Sequence, residues 1–502
     1  MKFRADEDSP MAHEMKPDSF LLPIEANTAQ IFELGWQSWS PSATYSATST
    51  SPRPKRDIWQ TMAFRPGFFD ESSRGQFISD GWLIVDPGDG TPILSFEGTE
   101  LPNQVPHITA KVIDNPSFSK YTSFTHLGRK VDTIPGSSAL LIEADSDIEV
   151  RAWPTLTSIP AVLNAISCQY ALRIGTPFKT EIDPAWCSWY CYWTNVIATD
   201  ITSEVAKIAE RNLNVKTIQI DDGWQIDLGT WRPSSKFGDL DATIKAVTEA
   251  GYEVGIWVAP FLIGEKSRVV LDNPNYIATN QSAGFNWQQN LLVANLANES
   301  VRNSIFDTFK FLADKGISYY KLDFLYAGLI SDDRSTTLYR DVLAGIREVI
   351  GEQATLVGCG APILPSVGLF DAMRVSPDIA PHWNPPLQDV SQPGSRAAIA
   401  NARNRAPLHG NLWINDHDCA LTRPSIMARE LIASAMEANG GLRTFSDPID
   451  TLDEWAFSRL GDLLQTSNAS QSGTAAALDL SYTDYNASTA TIFDHENSNT
   501  KP

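Results

Sequence analysis

Tyr319-Tyr320-Lys321-Leu322-Asp323-Phe324 follows closely on Gly316 and is a short apolar run interrupted by two charges. Extended as a strand, its side chains alternate between faces. Lys321 and Asp323 then share one side, and Tyr320, Leu322 and Phe324 share the other. If the strand belongs to a parallel sheet, both faces are covered. A lysine and an aspartate aimed into packed protein are costly unless they pair or line a cavity. The stretch alone fits a salt bridge closing a strand end as well as it fits a site. What stands at the ends of the other strands decides.

From 179 to 446 the chain alternates strands with helices. Strands are expected to end near Trp189, Asp221, Ala259, Asn295, Asp323, Cys359, Ser376 and Asn415. Helical stretches lie between most of them, at 203–213, 239–250, 299–315, 335–350 and 395–405. Asp200 or Thr202 precedes the first, and Gly251 and Gly316 follow the second and third. The connection at 361–370 is short and rich in proline, so no regular helix is expected there. Eight β-then-α units in one run predict an α/β fold, a (β/α)8 TIM barrel. Before it, residues 20–178 have dense turn signals, among them Pro87-Gly88-Asp89-Gly90, and no helical period. That predicts an N-terminal β-sandwich domain. Residues 1–19 read as a flexible N-terminus, and 447–502 as a short C-terminal β segment, with strands within 472–493, and a tail.

Composition narrows the function. The formal charge of −21 argues against a nucleic-acid partner, which needs basic stripes. No window reaches membrane-spanning length without charges. The N-terminus (Met1-Lys2-Phe3-Arg4, then Asp6, Glu7 and Asp8) has no apolar core of signal-peptide length. The five cysteines, Cys168, Cys187, Cys191, Cys359 and Cys419, are odd in number and scattered. They argue for a reducing, cytoplasmic compartment. The seven histidines form no ligand cluster, so no metal or other cofactor is expected.

In such barrels the active site lies at the C-terminal ends of the strands. By the count above, strand one ends in Trp189-Tyr190 and strand two in Asp221-Asp222-Gly223-Trp224. Strand three carries Trp257, strand five Lys321 and Asp323, strand six Cys359, and strand seven Arg374 with Asp378 beyond. Strand eight runs into Asn415-Asp416-His417-Asp418. Each has a plainer reading alone: Asp222-Gly223 is a common turn, Trp257 suits a core, and Asp416 and Asp418 suit a loop. Cys359 reads as a small buried residue rather than a nucleophile. Together they place carboxylates, bases and aromatics at one mouth.

Paired carboxylates, an aromatic wall and no phosphate loop describe acid–base work on a neutral polyol, and glycoside hydrolysis asks for this set. Asp323, with Lys321 as charge partner, is the candidate nucleophile. Asp378, on a loop where negative charge and apolar walls raise a carboxyl's pKa, is the candidate acid/base. A retaining reaction needs the two about 5–5.5 Å apart.

Several blocks, in order, resemble the α-galactosidases of glycoside hydrolase family thirty-six, clan D, and most closely their shorter bacterial and archaeal members. They are Trp186-Cys187-Ser188-Trp189-Tyr190, Gln219-Ile220-Asp221-Asp222, Gly255-Ile256-Trp257-Val258-Ala259-Pro260-Phe261, Tyr320-Lys321-Leu322-Asp323-Phe324, Gly358-Cys359-Gly360-Ala361-Pro362, Met373-Arg374-Val375-Ser376-Pro377-Asp378 and Trp413-Ile414-Asn415-Asp416. Trp36-Gln37-Ser38-Trp39 extends the likeness into the N-terminal domain. The resemblance implies a retaining mechanism with Asp323 as nucleophile and Asp378 as acid/base. It implies that Asp221, Asp222 and Lys321 bind the 4- and 6-hydroxyl side of galactose, and that Arg374 and Cys359 lie near the 2-hydroxyl. Trp257 would wall the pocket, and Trp39 would close it alongside Trp189 and Tyr190. The implied partner is a galactosylated oligosaccharide, and a homo-oligomer is compatible with it. An α-N-acetylgalactosaminidase or α-galactosyl transferase of the same clan stays open, and so does a non-catalytic carbohydrate-binding protein.

Overall fold

The computed structural model describes residues 2–3, 20–53, 62, 64–65, 73–114, 122–123, 138–175, 179–330, 336–384 and 393–465. The N-terminal part is two sheets packed face to face. One runs Lys2–Phe3, Ile148–Trp153, Ile93–Gly98, Trp82–Asp86, Gln30–Glu33, Ala43–Ser46. The other runs Gln76–Asp80, His107–Asp114, Ser138–Ala144, Phe20–Ile24, Thr122–Ser123. Alternation decides the packing. Phe20, Leu22 and Ile142 of one sheet meet Leu83, Val85, Phe96 and Val150 of the other. The intervening Trp82, Ile84, Ile93 and Trp153 face the opposite way and are buried too, in a core that continues into the barrel. Trp82-Leu83-Ile84-Val85 is apolar throughout because both its faces are covered.

A helix, Ile159–Ile174, packs on that second face, in a stretch where only strands were expected. Ser158 caps its start, Pro160 stands in its first turn, and Gly175 ends it in the left-handed region at φ 70. Its buried residues Ile159, Val162, Leu163, Ile166 and Tyr170 recur at helical spacing. The helix carries a single charge, Arg173, so its polar face is weakly marked in the sequence.

The second part is a parallel sheet closed into the expected barrel. Its first seven strands are Ala185–Cys187, Thr217–Ile220, Glu253–Val258, Tyr319–Leu322, Thr355–Gly358, Ala372–Arg374 and Ile414–Asp416. Cys419–Ala420 continues the seventh past a kink at His417-Asp418 and pairs with the eighth, Thr444–Phe445. The eighth pairs back onto Ala185–Trp186. Helices at Ala198–Glu210, Leu240–Glu249, Glu299–Asp314, Thr336–Ile350 and Ser395–Asn404 lie near the expected positions. Residues 361–370 hold only a short 3-10 turn, Leu364–Ser366.

The strand count needs one correction. The strand expected to end at Asn295 is outside the barrel: Gln289–Ala294 is the middle strand of an antiparallel sheet with Leu262–Gly264 and Ile277–Asn286. Tyr319–Leu322 pairs directly with Glu253–Val258, so it is the fourth barrel strand. A short buried apolar run such as Leu291-Leu292-Val293-Ala294 reads alike in either setting. Cys359 therefore follows strand five, Arg374 ends strand six, and Asp416 ends strand seven. The true eighth strand has two residues, too few to show a period. A helix, Glu454–Leu463, follows it and buries Ala456, Leu460 and Leu463, within the stretch read as a C-terminal β segment. The strands expected at 472–493 lie outside the described residues.

Candidate active site

Lys321 does not pair with Asp323. Its Nζ lies 2.9 Å from Asp221 Oδ2, with both side chains buried. The two come from alternate strands, the fourth and the second, an arrangement that fills one layer of such a barrel. Burial opposes the lysine's charge, but the Asp221 carboxylate outweighs it and holds Lys321 well above its ordinary pKa. Asp221 Oδ2 also accepts from Gln219 Nε2 at 2.7 Å and Cys187 Sγ at 3.5 Å.

Two residues further along the same strand, Asp323 is held by other donors. Trp257 Nε1 donates to its Oδ2 at 3.0 Å, and the Phe324 amide donates to Oδ1 at 2.8 Å. Phe324 has φ 52, so the chain turns sharply out of the strand right after the carboxylate. Asp222 is gripped at both oxygens, by Gln225 Nε2 at 2.5 Å and Trp287 Nε1 at 2.9 Å. Burial pushes its carboxyl up to about 6, with Asp221's charge adding to the rise and the Gln225 bond opposing it.

Across the pocket, the buried Arg374 guanidinium serves three carboxylates. Nη1 reaches Asp378 at 2.9 Å, Nε reaches Asp416 at 3.2 Å, and Nη2 reaches Asp418 at 2.9 Å. Asp418 also accepts from Tyr190 Oη at 2.5 Å and the Ile379 amide at 2.8 Å. One cation cannot compensate three acids. Burial and then the Asp418 charge push Asp378 up to about 7, against Arg374 and Lys321. Asp323 is among the charges Asp378 feels, so both carboxylates share one electrostatic neighbourhood. Of Arg374's three partners Asp378 alone is accessible, its side chain 32% exposed against 5% and 2%. Cys359 is fully buried, and burial with the Asp323 charge raises its thiol well above the usual range, so it is an inert wall.

Trp39 arrives from the sandwich. Its ring meets Phe324 edge-on at 5.0 Å and Tyr326 at 5.9 Å. Its loop is tied to the barrel by Ser38 N to Ala361 O at 3.0 Å and Ala361 N to Ser38 Oγ at 3.1 Å. Arg405, fully buried, does most of the fastening. It donates to the carbonyls of Gly35, Gln37, Ser38, Ser40 and Val375 and to Ser42 Oγ, at 2.7–3.2 Å. Val375 directly follows Arg374, so the clamp joins the Trp39 loop to the strand that leads to Asp378. Trp189 is half-buried and meets Trp193 at 4.9 Å, and Trp193 meets Tyr190 at 5.4 Å.

The residues singled out in the sequence thus gather at the C-terminal ends of strands one to six, with Trp39 added from outside the barrel. Sequence reasoning missed Trp287, Arg405 and the contact roles of Phe324 and Asp418. Trp287 was hidden by the miscounted strand. Its signal is the Asn286-Trp287-Gln288 turn, a tryptophan among polar residues ahead of the apolar run Leu291-Leu292-Val293-Ala294. Arg405 stands in an outer helix end with no pattern to mark it.

Residues 185–341 match the melibiase family model. The chain is similar to α-galactosidase 1 of Pediococcus pentosaceus, 27% identical over 161 residues, which are 29% of this chain and 22% of that protein. It is also similar to the bifunctional α-galactosidase/sucrose kinase AgaSK of Mediterraneibacter gnavus, 28% identical over 31% of this chain and 18% of that one. The matched stretches thus span about a fifth of these curated relatives' length. Among solved structures, the TtGalA α-galactosidase from Thermus thermophilus, in complex with p-nitrophenyl α-D-galactopyranoside, superposes with a TM-score of 0.74 and 25% identity. That match covers 92% of each chain. The Geobacillus stearothermophilus α-galactosidase AgaA shares the fold at a TM-score of 0.56 and 14% identity, over 89% of this chain and 61% of that one. Over 185–341 the chain thus carries the melibiase signature, and as a whole it is similar in fold to α-galactosidases, among them one of glycoside hydrolase family thirty-six.

Proposed function

We propose that this chain is a retaining α-galactosidase that removes terminal α-linked galactose from oligosaccharides or simple glycosides. One observation carries the reading. Asp378, pushed up to about 7, keeps a proton near neutrality and is accessible, while Asp323 nearby has both oxygens aimed by N–H donors. Two carboxyls in one pocket with environments this different suit an acid and a nucleophile.

Asp323 attacks the anomeric carbon as Asp378 gives its proton to the departing glycosidic oxygen. The ionised Asp378 then takes a proton from water, which attacks the same carbon and frees Asp323. Asp221, Asp222 and Lys321 hold the 4- and 6-hydroxyls, so the 4-epimer leaves the hydrogen-bonding positions these buried groups offer to the 4-hydroxyl unfilled. Such a mismatch costs a factor of about 10⁴. Arg374 and Cys359 stand by the 2-hydroxyl, Trp257 and Trp39 wall the ring, and Trp189 and Tyr190 flank the mouth. Five unpaired cysteines support a reducing, cytoplasmic setting. No helix among the described residues is long and apolar enough to cross a membrane.

The test is Asp323→Gly with p-nitrophenyl α-galactoside, with and without azide. Activity is expected to vanish and to return in part with azide, giving β-galactosyl azide. Undiminished turnover in the variant removes Asp323 from the mechanism. In parallel, the 2-acetamido analogue is expected to be a poor substrate for the unaltered protein, and equal turnover of both would favour the α-N-acetylgalactosaminidase reading.

A further inference from the structure

We infer that Trp287, at the tip of the hairpin between barrel strands three and four, is a specificity-determining residue that positions Asp222 to receive a sugar hydroxyl. This rests on the galactosidase reading and extends it to a residue on a segment that is not part of the barrel.

The hairpin pairs Ile277–Asn286 with Gln289–Ala294. Its turn is Trp287-Gln288, with φ 46 and 55. Two successive left-handed residues make the turn that Asn-Gly forms most easily, and here a bulky tryptophan and a glutamine occupy it. Such a conformation persists where the surroundings hold it. The contacts that hold this one all lead to the pocket or to the loop beside it. Trp287 Nε1 donates to Asp222 Oδ2 at 2.9 Å. The indole lies 5.2 Å from Phe324, the residue after Asp323, and 6.5 Å from Trp257, which itself donates to Asp323. Lys266 Nζ donates to Gln288 O at 2.9 Å, and Asn290 donates twice to Glu265, at 3.1 and 2.7 Å. On the far side of the turn, Tyr326 Oη, next to Phe324 and Trp39, donates to Ala283 O.

Asp222 has a side-chain donor on each oxygen, Gln225 on Oδ1 and Trp287 on Oδ2, and the Gly223 amide also donates to it, so of its about four acceptor sites one stays open. The carboxylate plane is therefore set before substrate arrives, and the open site accepts a hydroxyl proton without reorganisation. Without the indole N–H, Asp222 Oδ2 loses its side-chain donor and the carboxylate is held less firmly, mainly by Gln225 at Oδ1. The ring is half-buried, so its outer part stays free to face a bound sugar.

The experiment compares the unaltered protein, Trp287→Phe and Trp287→Ala on p-nitrophenyl α-galactoside and on its 4-deoxy and 6-deoxy analogues. Thermal melting checks that both variants fold. Trp287→Phe keeps a ring and loses the N–H. It is expected to lower kcat/KM on the parent about tenfold, mostly through KM, the loss typical of one hydrogen bond to a charged group. On whichever deoxy analogue lacks the hydroxyl that Asp222 receives, the loss should shrink to about twofold or less, since that partner is gone. Trp287→Ala should lose more on all three substrates by removing the wall. An equal loss on all three substrates for Trp287→Phe, or no loss on the parent, overturns the inference while leaving the galactosidase reading intact. An unaltered protein that neither hydrolyses nor binds the parent galactoside overturns both.

Discussion

Asp378 is where the chemistry is most sharply tested at the scale of single residues. Its carboxyl is pushed up to about 7 by burial and by Asp418, so it is protonated below that pH and ionised above it. A general acid must hold its proton when substrate arrives. Activity should therefore fall as pH rises through about 7, and Asp378→Ala should flatten that alkaline limb in a pH profile of kcat/KM. Asp378→Ala should also lose little on p-nitrophenyl α-galactoside, a good leaving group, and far more on an alkyl galactoside. A loss independent of the leaving group excludes the acid role. Much of the residue inventory was legible because strand ends follow one another in sequence. The partner of Lys321 was not. Alternation tells which face a side chain takes, whereas pairing depends on which strands share a layer. Asp221, 100 residues away, lies in the layer of Lys321, and Asp323 lies further along the strand.

Among elements, Gly360 after strand five is a tight joint between the sandwich loop and the chain that follows Asp323. It has φ 54, and a Cβ there would sit 2.9 Å from the Phe324 amide nitrogen and 3.2 Å from the Trp39 ring. Gly360→Ala must move one or the other, since an L side chain is strained at that φ. We expect a stability loss of about 1–3 kcal/mol in urea unfolding. The drop in kcat/KM should be larger than that loss explains, because the Phe324 amide that would shift donates to Asp323. Unchanged kinetics would mean that the Trp39–Phe324 contact is decoration. The same scale separates what could be read from what could not. Helices with charged outer faces, such as Glu299–Asp314 with Gly316 after it, are legible by period and cap. The nearly uncharged helix Ile159–Ile174 and the two-residue eighth strand are not. The hairpin strand Gln289–Ala294 reads like a barrel strand because burial makes both equally apolar.

For the molecule as a whole, the question is whether sandwich and barrel are two bodies or one. A single core cluster runs from Phe32, Trp82, Ile84 and Trp153 through the helix Ile159–Ile174 to the barrel residues Trp186, Ile218 and Leu322. Arg405 adds a polar bolt at the pocket rim. Burial pushes its guanidinium down to about 9, and five carbonyls and a hydroxyl surround its N–H groups, so it stays charged at neutral pH. Unfolding the sandwich alone would expose the Trp82 face and strand that cation. The two parts should therefore unfold together, in one transition with far-UV circular dichroism and tryptophan fluorescence coinciding. Arg405→Met should cost about 3–5 kcal/mol, because it leaves several buried carbonyls without donors. It should also raise KM, since it frees the Trp39 loop, while the core cluster keeps the transition single. Two separated transitions in the unaltered protein would make the sandwich an appendage, and the site would then owe Trp39 to a mobile neighbour rather than to one continuous fold.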